Sequence, residues 1–473
     1  MTQLLRKILL VVGFAMIASS CGGGSSSTSD DAPDDTEAPQ DSAVTTEPDF
    51  EVDVASYTTL NVPDDYPSIQ AAVDAAAPGD LILIAEGSYL EAVDVVTDDL
   101  VIRGVDRNAV ILDGGFELEN GIRVLGADGV AVENLTAQNY TKNGFFWTSD
   151  VTGYRGSYLT AIRNGDYGVY AFGARDGLLE HSYASGSPDA GFYIGQCFPC
   201  TAVIDDVISE YNGLGYSGTD SGGDLYIINS VWRHNRAGIV PNSGSYEGCA
   251  PERETTVVGN LVYSNSNPDT SAIDAALLAM GNGIVISGGV ANTVERNRIW
   301  DHDVSGIAIT PFPEDNPVHG IPAVYPTDCL ENTVPANPED AAELPATLFW
   351  ESMDNVVREN VIVDSRIADI VLVQTKAHGN RFCDNEISSS LPADIETLAP
   401  CEGELLETGG EAFVTFLGLI EEVRPPSVDY TIAEIGDPGP QPNMADALTA
   451  KPSPARTPKF PDVTTIGVPD APE

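Results

Sequence analysis

Positive charge is scarce in this chain. Lys and Arg number 22 against 72 Asp and Glu, a formal net charge of −50 over 473 residues, and neither occurs between Lys7 and Arg103. A field of that sign repels nucleic acid and anionic lipid, which argues against both as partners. It also makes an acidic polysaccharide an awkward ligand unless Ca²⁺ or a local Arg cluster intervenes, so Ca²⁺ is the cofactor left open. The plainer meaning of the charge is a solvated surface suited to a saline exterior. Methionine and histidine are rare, five of each without clustering, which gives soft-metal chemistry little support. There is no H-x-x-x-H, P-loop, dinucleotide glycine pattern or G-x-S-x-G. Beyond the first twenty or so residues no stretch is long and apolar enough to cross a bilayer.

Glycine, by contrast, keeps a beat. Gly121, Gly144, Gly168, Gly191, Gly215 and Gly238 follow one another in steps of 23 or 24 residues, each opening a short apolar alternation, and Gly283 and Gly306 resume the pattern. A second strand-sized run follows each glycine about ten residues later, as at Gly129, Gly177, Asp224 and Asn292. Both runs alternate with period two, are rich in Val, Ile and Tyr, and are bounded by Gly, Asn and Asp. One such unit cannot bury its apolar face alone, so stacking must supply the core. Propeller blades need roughly 40 to 50 residues, whereas this period fits one coil of a parallel β-helix. The expected fold is therefore an all-β parallel β-helix solenoid. The gaps, about residues 241–282 and 311–354, carry insertions. Asn134, His181, Asp206, Asn229, Asn260, Asn297, Asn360 and Asn385 are expected to stack as a polar ladder at one turn.

The segment from Val62-Pro-Asp-Asp-Tyr to Ala75, followed by Pro78-Gly-Asp-Leu-Ile-Leu-Ile, resembles the opening of right-handed parallel β-helix proteins of the pectin lyase-like fold, shared by NosD-type and pectinesterase-type chains. The likeness covers about residues 57–401 and implies a short helix over Ile69 to Ala77 that plugs the first coil. Pectinesterase chemistry is not implied: the Gln-Asp-Thr-Leu and Val-Asp-Phe-Ile-Phe-Gly segments are missing.

Residues 1–21, with Arg6 and Lys7, an apolar run to Ile17 and Ala18-Ser-Ser-Cys21, look like a bacterial lipoprotein signal with Cys21 as the acylated residue. Residues 22–56 read as a disordered acidic tether. This pattern implies an exported protein, lipid-anchored at the cell surface and touching the membrane only through its anchor, with a monomeric body. Six further cysteines suit an oxidising compartment. Cys383 with Cys401 is the favoured pair, then Cys197 with Cys200 and Cys249 with Cys329; a redox C-x-x-C or a zinc site are alternatives. Residues 402–473 are expected to form a capping helix over Glu404 to Glu422 and a Pro-rich strap or disordered tail.

Aligning coils on the glycines assigns side-chain direction by parity. Ile122, Phe145, Val169, Phe192, Tyr216, Ile239, Ile284 and Ile307 point inward, while Phe146, Tyr170 and Tyr193 stack outside as a flat aromatic strip that Phe172 broadens. Asp166 and Asp189 sit about 5 Å apart at the edge of this face, close enough to raise each other's pKa, hold a cation, or act as acid and nucleophile. Tyr193 or His234 is a candidate base, and Arg236 a candidate holder of a carboxylate or developing negative charge. Asp220 and Asn242 would line the same face. The expected function is a surface protein that binds polysaccharide and processes it as a lyase, hydrolase or epimerase; the alternative is a non-enzymatic glycan- or protein-binding module.

Overall fold

In the computed structural model the described residues are 57–329, 344–374, 378–406 and 424–472. The signal sequence with Cys21, the linker to residue 56, and the expected capping helix beyond Leu406 lie outside them.

Eleven strands form one parallel sheet, running in order from Val93–Val95 through Asn143–Trp147, Tyr167–Phe172, Ala190–Gly195, Leu214–Thr219 and Ala237–Asn242 to Ser390–Leu391. Twenty more build the other flanks of the tube. The register is the one the glycines mark: Arg123 pairs with Phe146, Phe146 with Tyr170, Tyr170 with Tyr193, and Tyr193 with Ser217. The eight residues assigned inward are all buried in one continuous core. An antiparallel pair, Phe312–Asp315 with Thr347–Trp350, stands outside the winding.

The glycine beat has a steric cause. A Cβ on Gly121 would lie 2.4 Å from the Gly144 carbonyl oxygen, on Gly144 2.7 Å from that of Gly168, and on Gly168 2.6 Å from that of Gly191. Each coil therefore seats its backbone in space that a side chain would occupy, and the requirement repeats once per turn.

The opening is closed by the helix Ile69–Ala75, capped by the Ser68 hydroxyl on the Ala71 N–H and burying Ile69, Ala72 and Val73. It ends two residues short of the expected Ala77.

The polar ladder is real but displaced by one residue over part of its length. Asn260, Asn297, Asn360 and Asn385 stack, each Nδ2 donating to the next Oδ1 at 2.9–3.0 Å. Asn134, His181, Asp206 and Asn229 stand one position earlier and adopt positive φ. Ser182, Val207 and Ser230 take the ladder position there; Ser182 and Ser230 accept backbone N–H groups with their hydroxyls. The turn needs a left-handed residue followed by a buried acceptor, and Asn suits either place. A second ladder, through Asn212, Asn235 and Asn265, was not anticipated.

The insertion expected over 241–282 is two loops, 243–252 and 264–281, separated by an ordinary coil whose strands Arg253–Val258 and Leu261–Tyr263 pair in register. All three expected disulfides are present: Cys197 with Cys200, Cys249 with Cys329, and Cys383 with Cys401.

Residues 424–472 form a strap with little regular structure, held by guanidinium groups on its carbonyl oxygens. Arg103 donates to Ala450, Arg107 to Pro442, Arg155 to Ser453, Arg296 to Ile466 and Arg298 to Pro469. Much of the chain's scarce positive charge is thus engaged in fastening its own C-terminal segment.

Candidate functional site

Strand Tyr167–Phe172 carries the centre of the site. Tyr170 lies 4.6 Å from the Phe146 ring, 4.9 Å from Tyr193 and 5.8 Å from Phe172. Tyr167, at the strand's first position, also joins, parallel to Tyr170 at 4.2 Å and 1°. The expected flat strip is instead a ridge: the rings cover one another's faces and present edges and hydroxyls outward, because side chains one coil apart are close enough to stack. Phe146 ends the pile.

At the other end the ridge is closed. Tyr193 points outward from the sheet as expected, yet it is only 1% exposed, because loop 243–252 lies over it. Its hydroxyl donates to Glu247 Oε1 at 2.6 Å, and the Gly248 N–H reaches Gln196 Oε1 at 3.3 Å. The Cys249–Cys329 bond pins the end of the loop.

Asp166 and Asp189 are neighbours on adjacent coils, the Asp189 N–H donating to the Asp166 carbonyl at 3.1 Å. Burial pushes the Asp189 carboxyl up to about 7; the Tyr167 hydroxyl engages it and pulls it back, while the charge of Asp166 adds to the rise. Burial raises Asp166 too, opposed by Lys142, whose Nζ is 3.5 Å away. Glu247 is pushed up to about 8, chiefly by burial, with Tyr193 opposing and Asp189 reinforcing. A carboxyl that titrates near neutrality beside a hydroxyl can give or take a proton at pH 7.

Asp220 is fully buried under the same loop, its Oδ1 accepting the Gly244 N–H at 3.0 Å. Asn242 accepts from Thr219 Oγ1 at 3.0 Å and from the Tyr246 hydroxyl at 3.1 Å. Two candidates are directed elsewhere. Arg236 is fully buried with its guanidinium on the carbonyls of Pro268, Thr270, Pro425 and Pro426, 2.7–2.8 Å away, so it fastens loop and strap. His234 stacks on Tyr211 at 5.3 Å, with Tyr263 at 6.0 Å, among residues of the larger sheet. Glu247 and Tyr167 were missed, since neither shares the period of the ridge. A weak signal for Glu247 is its place two residues before Cys249.

Among the described residues no three or more His, Cys, Asp or Glu converge as a metal-holding group. The ridge is an open face; a cavity of about 460 Å³ lies elsewhere, between Asn229, Leu261 and strap residues Thr465 to Pro469. No described helix is long and apolar enough to cross a membrane.

Residues 108–320 match the family described as right handed beta helix region. No curated protein sequence matches the chain. Among solved structures, the chain is similar to the A-module of the Azotobacter vinelandii mannuronan C-5 epimerase AlgE4, at 14% identity over 71% of this chain and 96% of that one, with a TM-score of 0.47. It is also similar to an alginate lyase from Paenibacillus sp. str. FPU-7, at 14% identity over 53% of this chain and 91% of that one, with a TM-score of 0.39. The family match and the parallel winding agree: the body of this protein is a right-handed parallel β-helix of the pectin lyase-like fold.

Proposed function

We propose that the outer face around Tyr170 binds polysaccharide, and that the Tyr167–Asp189 pair beside it transfers protons in a lyase, hydrolase or epimerase reaction. The supporting observation is that a half-exposed aromatic ridge runs directly into a carboxyl held near pKa 7. Ring edges and hydroxyls suit a sugar's mixed apolar and hydrogen-bonding surface. Asp189 with Asp166 supplies two carboxyls at about one coil spacing, the separation a retaining glycosidase uses.

A second reading, a binding surface without turnover, is favoured by the closure of Tyr193 and Glu247 beneath loop 243–252. The two part company in one assay. The purified chain is screened against a polysaccharide panel for new reducing ends, unsaturated products and changed sugar configuration, with Asp189→Asn as control. Turnover lost in Asp189→Asn supports the enzyme. Binding without turnover, undiminished in that variant, discards it.

We further propose that the body works outside the cytoplasm, tethered through Cys21. Three disulfides suit an oxidising compartment. Radiolabelled palmitate incorporation lost in Cys21→Ala tests the anchor.

A further inference from the structure

We infer that the polysaccharide taken by this face bears amino groups, so that the ligand is cationic rather than neutral or uronic. The inference rests on the ridge being a glycan surface and adds the ligand's charge.

Its basis is the engagement of every Lys and Arg from Arg123 to Arg253. Arg123 makes two bonds to Asp94, at 2.8 and 2.9 Å. Lys142 faces Asp166, and Arg175 is paired with Asp328. Arg155 and Arg233 pair with Glu133 and Glu210. Arg163, Arg236 and Arg253 are turned onto backbone carbonyls, Arg253 onto those of Cys249, Pro251 and Pro326. None of the eight is left to receive a carboxylate on the ridge.

The acids stand the other way. Asp189 has the Tyr167 hydroxyl beside it and, among the described residues, no cation within ion-pair distance. Glu247 and Asp220, both at least nine-tenths buried, each keep one carboxyl oxygen, Oε2 and Oδ2, without a hydrogen-bond donor among the described residues. Tyr170 lies within electrostatic reach of Glu247, Asp189 and Asp166 together. A uronate laid along Tyr170 would bring like charge against these groups with nothing to offset it. An ammonium supplies what is missing: three donors, positive charge against Asp189, and attraction to the aromatic ridge.

The test is titration calorimetry of the full chain in about 0.15 M salt, where exposed long-range attraction is largely screened. Four probes of matched length are used: a glucosamine oligomer, its N-acetylated form, a uronate oligomer and a lysine oligomer. The glucosamine oligomer should bind at least about tenfold more tightly than its acetylated form, and the uronate should not bind. The Asp166→Asn/Asp189→Asn double variant, with an unchanged circular dichroism spectrum, should lose about tenfold or more for the amine alone. Equal binding of the acetylated form, or tighter binding of the uronate, would overturn the amine assignment and leave the glycan surface standing. Binding by none of the three glycans would overturn both. Lysine oligomer binding as tight as the amino sugar's, and undiminished in the double variant, would reduce the effect to general attraction by the chain's net charge and overturn the assignment.

Discussion

The Tyr193 hydroxyl donates to Glu247 Oε1 at 2.6 Å, joining a strand of the tube to the loop that covers it. One side of this contact is fixed by the winding, since Tyr193 occupies an outward position that recurs on every coil. The other side belongs to loop 243–252, held by the Cys249–Cys329 bond. The closed end of the ridge therefore depends on a bond between a periodic residue and an aperiodic one.

Stability should fall as pH rises through neutrality. Glu247 and Asp189 are raised in the fold to about 8 and about 7. The folded state therefore binds more protons than the unfolded chain from about pH 4 to 8, and their contribution is complete below that window and lost across it. Each group contributes at most about 1.4 kcal/mol per pH unit. Glu247→Gln should flatten the fall in Tm between about pH 5 and 8; an unchanged slope would show that this carboxyl does not titrate there.

Asn297→Ala should destabilise by about 2–4 kcal/mol in chemical denaturation, because buried donors and acceptors on two coils lose their partners together. Asn229→Ala, one position off the ladder, should cost less than about 1 kcal/mol. Similar costs for the two would contradict the one-residue displacement.

Removing the Arg236 guanidinium should damage the fold and spare the ligand. Arg236→Ala strips charge-assisted donors from the carbonyls of Pro268, Thr270, Pro425 and Pro426, a loss of about 2–4 kcal/mol. Hydrogen exchange should accelerate in loop 264–281, with polysaccharide affinity unchanged at a temperature where the variant is folded. An affinity loss with full stability would return Arg236 to the site.

Opening the Cys249–Cys329 bond with the Cys249→Ser/Cys329→Ser variant should release loop 243–252 and expose Tyr193. A loop of this separation, 80 residues, is worth about 2–4 kcal/mol when closed. Near-ultraviolet absorbance should show an additional titrating tyrosine relative to the parent chain; an identical titration would mean that the loop holds without its covalent pin.

What the sequence disclosed is what repeats. Gly121, Gly144 and Gly168 are legible because each coil seats its backbone where a Cβ would stand, and Phe146, Tyr170 and Tyr193 are legible because parity carries direction from coil to coil. The ladder was only partly legible, since Asn serves both the left-handed position of Asn229 and the buried acceptor position of Asn260. Glu247 was hidden because a loop residue has no period. Arg236 was misdirected because its partners are carbonyl oxygens, which every residue carries.

The central claim is that the face around Tyr170 is where ligand binds. Saturation-transfer difference NMR with polysaccharide oligomers, on the parent chain and on Tyr170→Ala, tests it most directly. The account predicts saturation transfer to the sugar protons in the parent chain and its loss in Tyr170→Ala at unchanged fold. Equal transfer from both proteins would place the ligand elsewhere on the tube.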